Sequence, residues 1–169
     1  MGAYSHEKIG VGATNTAIGA YAMQGTGTAT DNDASNNVAV GYQALKAITD
    51  GDSNTAIGYQ SLYSITTGAG NTAIGYKAGY NVTTGNQTIV GYEAGMSVTD
   101  TGTQLFVGYQ AGKYVTGNYI TALGHQAMGG GDTTASNNGV SSTVAIGFKA
   151  FGGATSSSDD IDGHSSVAI

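Results

Sequence analysis

Acid–base or metal chemistry in this 169-residue chain would have to come from three histidines, nine aspartates and two glutamates. His6, His125 and His164 fall in different sequence contexts, and His125 stands where related segments carry tyrosine, so it reads as a stacking residue. Glu7 and Glu93 are too far apart along the chain to act as the paired carboxylates of a glycosidase. The stretch "SSSDDIDGHSS" is the most metal-like: Asp160, Asp162 and Gly163 match half of a calcium loop, but the later bidentate Glu is missing. It reads first as an acidic solvated loop and only second as a Ca²⁺ site. Asp31 and Asp33 in "TDNDAS" make a fainter version of the same case. No glycine-rich run opens a helix to cradle phosphate. The expectation is therefore no catalytic residue, no metal, no cofactor and no enzyme.

Composition narrows the partners. Five Lys and no Arg against eleven acids, a net charge of −6, argue against a nucleic-acid partner. No apolar run approaches the ~18 residues of a membrane span, and "MGAYSHEKIG" lacks the basic and apolar regions of a signal peptide. Without cysteine there is no disulfide framework. The 29 glycines are more than twice the usual share of about 7%. Collagen is excluded by the absence of proline, and disorder by 40% hydrophobic residues at only 9% charge.

The glycines are explained by repetition. Gly2, Gly19, Gly41, Gly58, Gly75, Gly91, Gly108, Gly124 and Gly147 each follow or replace one phase of a "TAIG" unit, at steps of 17, 22, 17, 17, 16, 17, 16 and 23 residues. These nine units make residues 1–169 a single repeat solenoid. The residue before the glycine is β-branched in nearly every unit, as in Ile57, Ile74 and Val90. A second β-forming pair follows the glycine by seven or eight positions: Ile48-Thr49, Ile65-Thr66, Val82-Thr83, Val98-Thr99 and Val115-Thr116. Turn residues such as "TTGAGN" separate the two, and helical periodicity is nowhere sustained. The pattern predicts an all-β fold, a parallel β-roll or β-helix of about nine coils with two short strands and two turns per 16–23-residue coil.

Stacked coils bring equivalent residues together, so each phase of the repeat becomes a column. Asn15, Asn37, Asn54, Asn71, Gln87 and Gln104 form a predicted amide ladder. Tyr42, Tyr59, Tyr76, Tyr92 and Tyr109 form a predicted aromatic column continued by His125 and Phe148, beside which Lys77 and Glu93 are expected to be neighbours. Ala44, Ala78, Ala94, Ala111, Ala127 and Ala150 keep a third column small. Within each "TAIG" the Ala and Ile point to opposite sides of the strand. A thin coil buries only one of those sides, which predicts self-association into a homo-oligomer.

"NTAIGYKA" and "STVAIGFKAFG" resemble the head repeats of trimeric autotransporter adhesins, and "TAIGYQ" units are similar to repeats of phage tail fibres, especially of marine phages. The resemblance runs from Gly2 to Ile169. It implies a left-handed roll assembled as a trimeric fibre, extracellular, on a cell surface or virion, which presents loops to a host receptor or glycan. The present coils are longer than those of the adhesins.

Three units carry five or six extra residues, and in a solenoid such insertions form loops on one face. The binding-loop residues predicted there are Asp31, Asn32, Asp33, Asp132, Asn137, Asn138, Asp159, Asp160 and His164. The alternatives to an adhesive fibre are a self-assembling extracellular filament without a receptor and an ice-binding solenoid. The second is weakened because Val38, Leu105, Val144 and Val167 interrupt the column of Thr16, Thr55, Thr72, Thr88 and Thr121. The chain ends at "SSVAI" and opens, after Met1, on "GAYS", so Ile169 followed by Gly2 would restore the repeat. The expectation is a piece of a longer fibre, or a protomer that stacks end to end.

Overall fold

A computed structural model of the chain describes residues 2–5, 14–26, 33–99, 102–129, 141–151 and 167–168. Within them lie nine short strands: β1 (Thr16–Ile18), β2 (Val38–Val40), β3 (Thr55–Ile57), β4 (Thr72–Ile74), β5 (Gln87–Val90), β6 (Gln104–Val107), β7 (Thr121–Leu123), β8 (Val144–Ile146) and β9 (Val167–Ala168). They form one parallel sheet in chain order, each strand bonded to its sequence neighbours. Register follows the repeat: Ala56 pairs with Ala73 and Ile57 with Ile74. The fold is a β-solenoid with repeats of about 17 residues, as the repeat period predicts.

The expected second strand is absent among the described residues. Its apolar members Ile48, Ile65, Val82, Val98 and Val115 are buried, and the backbone still bonds from coil to coil, as in Thr49 N to Thr66 O at 2.9 Å. The segment is nevertheless turn and bend, because the chain has just curled through two left-handed residues, Gln43 (φ 57°) and Leu45 (φ 51°). Two residues of β propensity between such curls are too few to extend.

From β2 to β8 the strand's central residue points inward. Ala39, Ala56, Ala73, Ala122 and Ala145 are fully buried, and so are Leu45, Leu62 and Met128 on the opposing turn. Where the turn residue shrinks to Gly79, Gly95 or Gly112, the strand centre swells to Ile89 or Phe106 and fills the space. A Cβ added at Gly112 would come within 2.5 Å of the Phe106 ring, and one at Gly95 within 2.9 Å. Core volume is thus conserved by exchange between two columns.

A repeat glycine turns the corner after each strand from β1 to β8. Its φ lies between +124° and +138° from Gly19 to Gly124, and an added Cβ would sit only 2.2–2.6 Å from the carbonyl oxygen of the next coil's glycine. No residue with a side chain fits there. Ile169, which the expected end-to-end junction would join to Gly2, lies outside the described residues.

Candidate functional surface

The outer side of the sheet carries two columns. Thr16, Val38, Thr55, Thr72, Thr88, Leu105, Thr121 and Val144 form one, and Ile18, Val40, Ile57, Ile74, Val90, Val107, Leu123 and Ile146 form the other. Ile57 and Ile74 are each 38% exposed, although isoleucine is a residue normally enclosed by a core. From β1 to β8 the strip is seven inter-strand steps of about 4.8 Å, or roughly 34 Å long. Continuous exposed apolar strips are uncommon on monomeric soluble proteins. The expected division of the "TAIG" faces therefore holds, with Ala inside and Ile outside.

Past the glycine corner stand the aromatic rings. Tyr42, Tyr59, Tyr76, Tyr92, Tyr109, His125 and Phe148 stack in one row with centroids 4.9–5.4 Å apart. From Tyr59 to His125 both ring faces are taken up by neighbours, whereas Phe148, among the described residues, stacks on His125 alone and is 72% exposed. From Tyr59 to His125 the geometry suits edge contacts and does not offer a platform on which a sugar ring could lie flat. His125 sits between Tyr109 and Phe148, the stacking position its sequence phase predicts.

The amide ladder is buried and directional. Asn37 Oδ1 accepts from Asn54 N at 2.8 Å, Asn54 Oδ1 from Asn71 N at 3.0 Å, and Asn71 Oδ1 from Gln87 N at 2.9 Å. The Nδ2 groups reach turn carbonyls, as Asn54 does to Gly68 O. At Gln87 and Gln104 the side chain is one carbon longer, and their buried Oε1 atoms find no donor.

One polar column escapes the motif reading because its residue types vary. Two positions after the glycine come Gln43, Gln60, Lys77, Glu93, Gln110, Gln126 and Lys149, polar throughout. Gln60 Nε2 donates to Gln43 Oε1, Gln126 Nε2 to Gln110 Oε1 and Gln110 Nε2 to Glu93 Oε2. Lys77 and Glu93 are column neighbours as expected, but Glu93 takes Lys113 as its ion partner at 2.6 Å, while Lys77 Nζ lies over the rings of Tyr76 and Tyr80. Lys113 comes from the column three positions further on, and its longer diagonal reach closes the pair. Partial burial pushes the Glu93 carboxyl up, but hydrogen bonds from Lys113 and Gln110 and the charges of Lys113 and Lys77 outweigh it and hold the group below its ordinary value. Burial likewise pushes Lys113 down, and its bonds to Glu93 and Tyr114 with their charges raise it above the usual lysine value.

Of the predicted binding-loop residues, Asp33 is described and exposed. Asp31, Asn32, Asp132, Asn137, Asn138, Asp159, Asp160, His164 and the calcium-loop residue Asp162 lie outside the described residues. Among the described residues no three His, Cys, Asp or Glu side chains gather as a metal site, and no helix is long and apolar enough to cross a membrane. Compared with protein-family models, curated proteins and solved structures, the chain matches none.

Proposed function

We propose that this chain is a structural segment of an extracellular fibre, built from several copies packed side by side, three in the arrangement favoured by its likeness to trimeric adhesin heads and phage tail fibres. The observation that carries the reading is the exposed Ile/Val column beside an interior already closed upon itself. Each coil repeats that surplus apolar side chain in register, as an association surface would require and a lone solenoid would not. The fibre presents its inserted loops to a receptor or glycan and performs no chemistry of its own. Light scattering of the purified chain tests the assembly: a mass near three times 16.8 kDa is expected. A monodisperse species of 16.8 kDa at micromolar concentration would overturn it.

A further inference from the structure

Charge in this chain is sorted by phase. Among the described residues Asp33, Asp50 and Asp52 are exposed in turns that precede a strand, while Lys46, Lys77, Lys113 and Lys149 lie in turns that follow one. The sequence keeps the rule throughout: every Lys and Glu falls within six residues after a repeat glycine, and every Asp eight or more after it. Turn propensity accounts for aspartate before the strands. It gives no reason for every lysine to avoid those turns.

The strands run across the solenoid axis, so the preceding and following turns form opposite edges of the outer strand face. One edge is acidic and the other basic, with the apolar Thr and Ile/Val columns between them. We infer that these edges recognise each other between copies: the Asp33, Asp50 and Asp52 edge of one copy, beside β2 and β3, lies against the basic edge of the next at the same level, where Lys46 follows β2 and Lys77 follows β4. Lys113 is left out because Glu93 already neutralises it. A second copy is the partner that fits, since a foreign surface of one sign would be repelled at one edge. Symmetry then fixes direction. Copies related by rotation about an axis parallel to the solenoid bring unlike edges together, whereas copies running in opposite directions bring like edges together.

This inference rests on the side-by-side assembly proposed above, and charge exchange separates the two. One variant carries Asp33→Lys with Asp50→Lys, a second Lys46→Glu with Lys77→Glu, and a third all four changes. Circular dichroism establishes that each is folded, and sedimentation at low salt measures association. Each one-edge variant should associate at least roughly tenfold more weakly, because like charges then meet. The four-fold variant restores complementarity with the signs exchanged and should regain the wild-type assembly. Raising ionic strength from about 0.01 M to about 1 M shrinks the screening length from roughly 30 Å to roughly 3 Å and should erase the differences. If all variants assemble like the wild type, or the four-fold variant is no better than its parents, edge recognition is wrong while the assembly stands. A wild-type monomer would remove the assembly itself.

Discussion

At the scale of single residues, the interior amides and the Glu93–Lys113 ion pair make opposite demands. Asn54 holds three buried partners: it accepts from the backbone N and side-chain Nδ2 of Asn71 and donates to Gly68 O. Asn54→Ala would leave them unsatisfied, and we expect a loss of roughly 2–4 kcal/mol in chemical denaturation, against less than about 0.5 kcal/mol for exposed Thr67→Ala. Gln87→Asn should act the other way, because an amide of the length found at Asn37, Asn54 and Asn71 places its oxygen where theirs accept the next coil's backbone N–H, whereas the longer Gln87 leaves a buried Oε1 without a donor. A gain of about 1 kcal/mol is expected; a loss would mean that only the longer side chain reaches Gly102 O, its present partner at 2.8 Å. The ion pair makes a pH prediction. Because the Glu93 carboxyl is held below its ordinary value, its stabilisation is present above about pH 4.3 and fades as pH falls through the lower folded value. Lys113, held above its ordinary value, contributes below about pH 10.4 and loses that contribution as pH rises through the folded value. Thermal melts of Glu93→Gln should therefore differ from wild type near neutral pH, by no more than about 1 kcal/mol, and converge with it in acid.

At the scale of the coil, the columns behave as units. Tyr76 stacks on Tyr59 at 5.1 Å and Tyr92 at 4.9 Å, and Tyr76→Ala should lose roughly 0.5–1.5 kcal/mol per ring contact beyond the burial term. An effect equal to that of Thr67→Ala would reduce the column to decoration. The exchange of volume between turn and strand centre gives a sharper test. Gly112→Leu alone should clash with Phe106, and Phe106→Ala alone should leave a cavity worth about 3–5 kcal/mol. Together they recreate the Leu62 and Ala56 pairing of an earlier coil, so a double-mutant cycle should show favourable coupling of roughly 0.5–3 kcal/mol. The β-branched run, glycine corner and Asn and Tyr columns were all legible in the sequence, because period alone stacks like upon like. The missing second strand was not. Its residues have strand propensity, and what bends them is left-handed backbone at Gln43 and Leu45, residue types that do not announce it. Lys113 was missed for a related reason, since the column argument pairs only equal phases and the ion pair runs diagonally.

At the scale of the whole molecule, the repeat announces a surplus apolar face but says little about what closes over it, because every coil presents the same face. Assembly therefore has to be measured, as does the use of the inserted loops. The direction of the backbone bonds has a mechanical consequence. Around each described coil the amides and carbonyls reach the coils above and below, with Gly58 N to Val40 O at 2.8 Å and Leu62 N to Ala78 O at 3.1 Å as examples from strand and turn. The bonds thus lie along the direction in which a tethered fibre would be stretched. Drawn by its two ends, a single chain would be loaded one rung at a time and would peel coil by coil, where strands loaded lengthwise would break together in shear. Gly41 to Gly58 spans 17 residues, and at about 3.4 Å per extended residue each release should lengthen the tether by roughly 55 Å. Optical-trap records should show a staircase of such steps at low force, reversible when slack is returned; one abrupt rupture of the full length would mean that the coils yield as a block. A fibre made this way spools out and rewinds under a passing tug.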